Sequence, residues 1–164
     1  MFEIGDKVVY PMHGAGIIQT IEKRTILGST REYYVMKIPF GDMKVMIPVD
    51  NTEEIGVRTI VTEEKIKEVL RALRLEITSM PDNWNKRYRE NMTKLKSGDI
   101  MQVTEVVRNL MLSEREKGLS TGERKMLLNA KQILISEIVL VREIDIKEAE
   151  SQVEEAVFGQ TVKE

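Results

Sequence analysis

The chain has no cysteine, one histidine, one tryptophan and four prolines in 164 residues. Without cysteine, disulfides, zinc ribbons and thiol catalysis are excluded together. The histidine, His13, lies in Pro11-Met12-His13-Gly14 with no metal-ligand spacing around it. It reads as a turn residue rather than a catalytic base. Apolar runs are short, so no membrane-crossing helix of roughly eighteen or more residues is expected. The opening MFEIGDKVVY lacks the basic segment and apolar stretch of a secretory signal. A cytoplasmic protein without membrane contact is the expectation. An excess of one charge is also missing, since the formal net charge is -2. Any nucleic-acid contact must therefore come from a local basic patch.

Catalytic signatures are equally sparse. Gly14-Ala15-Gly16 is not followed by the Lys-Ser/Thr pair of a phosphate-binding loop. Ser29 and Ser120 have no nucleophile motif around them. Carboxylates gather at helix starts, where capping accounts for them. The reading is a non-enzyme with no cofactor, no metal and no small-molecule substrate.

The residues that are present fall into two regimes. Lys7–Tyr10, Ile17–Arg24, Glu32–Ile38 and Met43–Val49 are β-rich runs. Turns at Leu27–Thr30 and Phe40–Asp42 separate them, and Pro11 with Gly14-Ala15-Gly16 reads as a break. Four or five short strands suggest a small barrel or curled sheet with a thin core, which must lean on the helical half or on a partner.

Near Thr62 the apolar period becomes helical. Ile66, Val69, Leu70, Leu73 and Ile77 predict a first helix behind a Thr62 cap. Asp82 or Asn83 caps a second over Trp84–Lys96, and Asp99 a third ending at Lys117-Gly118. Ser120 with Glu123 forms a capping box for a fourth, running to about Val141. An acidic last helix spans roughly Ile146 to Phe158, followed by a frayed end. Its apolar Ala149, Val153, Ala156 and Val157 suit packing on the bundle; masking a basic patch is the other option. The expected fold is segregated α+β, with a β module over 1–55 and a helical module over 62–160.

Charge is uneven along this plan. Residues 61–131 carry fifteen basic and eleven acidic side chains, and they form the one net-positive block. Within it, Asn83-Trp84-Asn85-Lys86-Arg87-Tyr88-Arg89 holds three cations and no acid, with Lys94 and Lys96 further along. A basic helix start can meet phosphates with side chains and backbone N–H groups together. Trp84 is there either as a core anchor or as a flat wedge for a minor-groove step or an opened base. Arg124 and Lys125 form a second basic pair at a helix start, where the dipole disfavours cations unless an anion is near.

GDKVVYPMHGAGII, IEKRTILGSTREYYVMKIP and the P-x-x-N of Pro48–Asn51 resemble the N-terminal module of the CarD family. NWNKRYRENMTKLKSGDIMQVTEVVRNL and GLSTGERKMLLNAKQIL resemble its helical half. The resemblance implies a Tudor-like β-barrel that binds the β subunit of RNA polymerase. It implies a helical module that touches promoter DNA at the upstream edge of the transcription bubble. There a tryptophan, here Trp84, enters the minor groove and holds the melted promoter open. Asn83, Lys86, Arg87, Arg89, Arg124 and Lys125 fall to the DNA side, and Arg24, Ile26 and Met46 to the polymerase side. Met46 stands where relatives carry an arginine. Methionine keeps contact area but loses charge and bidentate hydrogen bonding. The implied function is a regulator of transcription initiation without a sequence-specific operator. A protein-interaction adaptor that never touches DNA, and an RNA-binding accessory factor, are the competing readings.

Overall fold

The computed structural model describes residues 1–159. Its first third is an antiparallel sheet of β1 (Lys7–Tyr10), β2 (Gly14–Ile26), β3 (Ser29–Lys37), β4 (Lys44–Pro48) and β5 (Arg58–Thr59), in the order β4-β3-β2-β1-β5. The β2–β3 hairpin turns on Leu27 and Gly28, with φ of 53° and 80°. Positive φ at both central positions is what a two-residue hairpin turn needs to match strand twist.

The Gly14-Ala15-Gly16 run, expected as a break, lies inside β2. Its glycines answer to close packing. A Cβ on Gly16 would stand 2.6 Å from the carbonyl oxygen of Lys37, and one on Gly14 2.8 Å from Ser136 Oγ. Backbone cannot yield as a flexible side chain can. Gly16→Ala is therefore expected to cost about 2 kcal/mol by overpacking, read as a lowered urea midpoint at unchanged slope.

The inner face of the sheet gathers Val8, Ile18, Tyr34, Met36, Ile38 and Ile47 into one core, sealed by Phe2, Val49, Ile55 and Val57. The Tyr34 hydroxyl accepts a hydrogen bond from the Phe2 backbone at 3.0 Å, tying the chain start across the opening. On the opposite face, Val9 and Ala15 are buried in a second core made mainly of helices. The thin sheet thus leans on the helical half.

That half comprises α1 (Thr52–Ile55), α2 (Glu63–Leu73), α3 (Trp84–Lys96), α4 (Ile100–Lys117), α5 (Thr121–Arg142) and α6 (Ile146–Glu154), with a final wide turn over Glu155–Gly159. Side chains of Thr62, Asn83, Asp99, Ser120 and Asp145 each accept a backbone N–H at a helix start. Of the two residues offered as cap for α3, Asn83 takes the position. The four-residue α1, closed by Gly56 in the left-handed region, is too short to leave a periodic signal. Helix α2 stops at Leu73, four residues short of the expected Ile77, which lies partly exposed in an extended connection. Helix α4 holds that connection. The Thr78 N–H donates to Asn109 Oδ1 at 3.1 Å, and Asn109 Nδ2 donates to Thr78 Oγ1 at 2.7 Å. Helix α6 buries Ala149 and Val153, and the turn after it buries Ala156 and Val157, so the acidic end packs on the bundle. The frayed end expected beyond Gly159 lies outside the described residues.

Helix α5 joins the two halves. Glu137, 2% exposed, accepts both guanidinium nitrogens of Arg58 at 2.8 and 2.9 Å and the Val61 N–H at 2.9 Å. Ser136 Oγ accepts the Ala15 N–H at 2.8 Å, and Lys7 Nζ donates to the Leu140 carbonyl at 3.1 Å. Three strands and one helix are thereby fixed in a single register.

Candidate nucleic-acid and protein interfaces

Trp84 is the first residue of α3 and is 41% exposed. Its indole is nonetheless held. Nε1 donates to Ser120 Oγ at 2.9 Å, and the ring stacks on Tyr88 at 4.9 Å between centroids and 19° between planes. The absence of a side chain at Gly122 makes room, since a Cβ there would stand 3.2 Å from Trp84 Cζ2. Ser120 Oγ also accepts the Glu123 N–H at 3.2 Å and donates to Glu123 Oε1 at 3.1 Å. Two lone pairs and one proton are then fully used. One edge of Trp84 is thus anchored on the start of α5, while much of the residue remains open to solvent.

Cations surround this plate unequally. Lys86, Arg89, Arg124 and Lys125 are exposed, as is Asn83, whose side chain caps the helix. Arg124 shares an exposed ion pair with Glu114. Arg87 departs from the others. Its guanidinium turns inward to Glu123, with Nε to Oε2 at 2.8 Å, and donates to the carbonyls of Pro81 and Asp82. The hydrogen bond from Arg87 holds the Glu123 carboxyl below its ordinary value, against its burial, and the same bond raises the Arg87 pKa. Grouped with the phosphate contacts by sequence, Arg87 is here a brace between α3, α5 and the connection before them. Sequence reading noted Ser120 and Glu123 solely as a capping box. Their second role arises from residues 36 positions away in the chain. Tyr88 was within reach of sequence reading, being an aromatic at i+4 from Trp84 on one helix.

A second surface lies on the β module. Arg24 stands opposite Arg31, Ile26 opposite Ser29 and Met46 opposite Val35. Directly paired residues share a face and alternate residues along a strand return to it. The register therefore brings Arg24, Ile26 and Met46 onto one outer face. Arg24 is tied to Glu22, Ile26 is half exposed and Met46 half buried.

Fold and surfaces together define a two-part protein, an antiparallel β module ahead of a helical module, and comparison with known proteins finds the same two parts. Residues 2–61 match the CarD-like/TRCF RID domain, and residues 68–154 match the CarD C-terminal domain. A Bacillus subtilis (strain 168) protein named "Putative transcription factor YdeB" is 38% identical over 151 residues, covering 92% of this chain and 99% of that protein. The chain belongs to the CarD family of transcription factors, with a Tudor-like β module ahead of its helices. Among the described residues no helix is long and apolar enough to cross a membrane.

Proposed function

We propose that this chain binds the β subunit of RNA polymerase through residues 1–55 and steadies the open promoter complex through residues 62–160. The observation that carries this reading is Trp84. A flat, half-open indole is stacked and hydrogen-bonded in place beside exposed Lys86 and Arg89, with Arg124 and Lys125 on the helix that holds it. An aromatic whose orientation is fixed before binding loses less freedom on contact than a mobile one. The match to a CarD-like/TRCF RID domain supports polymerase as the protein partner.

The mechanism is a population shift. A protein that binds open promoters better than closed ones displaces the equilibrium by its differential affinity. About 1.4 kcal/mol of preference changes the open-to-closed ratio roughly tenfold. Attachment to polymerase raises the local concentration at the promoter, so free-DNA affinity can stay weak, in keeping with the net charge of -2. Lys86, Arg89, Arg124 and Lys125 supply phosphate contacts without base readout, and Arg87 keeps the plate aligned through Glu123. Trp84 recognises a distorted junction by shape.

The test follows open-complex formation by the cognate polymerase on a fluorescent promoter. Trp84→Ala is expected to shorten open-complex lifetime roughly tenfold with polymerase binding unchanged. Arg24→Glu is expected to lose both effects together, because recruitment fails. Wild-type lifetime in a folded, polymerase-bound Trp84→Ala protein would make the tryptophan purely structural and favour the adaptor reading.

A further inference from the structure

Residues 1–60 carry seven basic and eight acidic side chains, a balance that predicts no charged surface. The strand register makes one. Arg24 is paired with Arg31 across β2 and β3, and Lys37 with Lys44 across β3 and β4. Arg31 and Lys37 are six positions apart on β3, so both pairs face the same way, roughly 20 Å from each other along the strand. All four cations are exposed. Along β2, β3 and β4 the same face receives a single carboxylate, Glu22. Between the pairs lie Tyr33 and Val35, both buried, and Met46 and Pro48, both half-buried.

Like charges directly opposite each other weaken a sheet. At the hairpin end the strain is partly neutralised: Arg24 meets Glu22 at 2.6 Å and Arg31 meets Asp50 at 2.7 Å. Hydrogen bonds from Arg24 and Thr20, and more weakly the charge of Lys44, hold the Glu22 carboxyl below its ordinary value. Among the described residues neither Lys37 nor Lys44 forms an ion pair of its own. Arg24 and Arg31 are offset by Glu22, Asp50 and the Tyr33 ring, whereas Lys37 opposite Lys44 has no offsetting ion pair among the described residues. With half-buried Met46 and Pro48 between them, the four cations have the anatomy of an interface, a small apolar centre with a charged rim.

We propose that this face docks an acidic protein surface, with Arg31, Lys37 and Lys44 joining Arg24 as its cationic frame. The proposal rests on the polymerase reading above and names the chemistry of that contact: carboxylates on the polymerase side meeting the two cation pairs. Protein fits better than nucleic acid here. Glu22 and Asp50 stand within the cation cluster at the hairpin end, where they would repel a phosphate backbone, and the middle is apolar rather than basic.

Binding of the full chain to cognate polymerase would be measured by biolayer interferometry across a salt series. Arg31→Gln and the double variant Lys37→Ala/Lys44→Ala are each expected to weaken binding about three- to tenfold at low salt, mainly through the on-rate, and to flatten its salt dependence. The melting temperature of Lys37→Ala/Lys44→Ala should hold or rise as like-charge repulsion is removed, which a merely structural role would not give; Arg31→Gln also gives up its exposed pair with Asp50 and is read by binding. If both bind like wild type while Arg24→Glu does not, the frame is wrong and the polymerase reading stands. If wild type does not bind polymerase at all, both fall. If the variants lose duplex DNA binding but keep polymerase binding, the occupant is nucleic acid and the proposal is overturned.

Discussion

Glu137→Ala is expected to lower the unfolding free energy by about 3–5 kcal/mol, the usual result of removing one partner from a buried ion pair. Glu137 is 2% exposed and accepts three hydrogen bonds, two from Arg58 and one from the Val61 backbone. Removal leaves a guanidinium and an amide facing a cavity. Arg58 keeps its bond to the Gly98 carbonyl at 2.8 Å, so it cannot simply swing into water without breaking another contact. Glu137→Gln keeps the shape and part of the acceptor set, and should cost clearly less. Equilibrium urea denaturation of the three proteins tests this. A loss below about 1 kcal/mol, the range of exposed ion pairs, would falsify a desolvated clasp between sheet and helices. Function should suffer before the fold does. The proposed polymerase and DNA faces lie on the two modules that this clasp joins, and a loosened junction weakens their simultaneous engagement.

The second large effect concerns acid. Glu123 has its pKa lowered chiefly by the hydrogen bond from Arg87, and the carboxyl is buried. A carboxylate with a depressed folded pKa contributes stability that is present above its unfolded pKa and is lost as pH falls through the folded value. The α3–α5 brace should therefore weaken on acidification below the ordinary carboxylate range. Glu105 adds to the same trend: burial raises its pKa, but bonds from Thr78 and Lys94 outweigh that and lower it. Glu123→Ala is expected to cost about 3 kcal/mol at neutral pH, from charge-assisted bonds lost and a half-buried arginine left without its partner. Glu123→Gln should flatten the acid limb of the stability curve. Trp84 is the sole tryptophan, and it is bonded to the hydroxyl that Glu123 also holds. Its emission is thus a direct readout. A red shift and faster anisotropy decay in Glu123→Ala at neutral pH would mark release of the indole. Unchanged emission alongside lost stability would show that the stack on Tyr88 suffices.

Helix starts were legible because a cap is local. Thr62, Asn83, Asp99 and Ser120 each bond a backbone N–H two or three residues ahead, so residue type and spacing carry the information. The hairpin at Leu27-Gly28 was legible for the same reason. Ile77 misled because an apolar residue at helical spacing looks the same whether it continues a helix or lies in a segment pinned from outside, here by Asn109. Gly14 and Gly16 misled because a glycine chosen for close approach resembles one chosen for a turn.

By itself the sequence determined the element types, the absence of thiol chemistry, the basic run around Trp84 and, by resemblance, the family. Tertiary structure alone decided that Arg87 turns to Glu123 while Lys86 and Arg89 stay in solvent, and that Ser120 holds the indole. It also turned a β module with balanced charge into one with a cationic face. The physical reason is common to all three. Ion pairing, anchoring and strand register join residues far apart in the chain, and composition and periodicity record only neighbours.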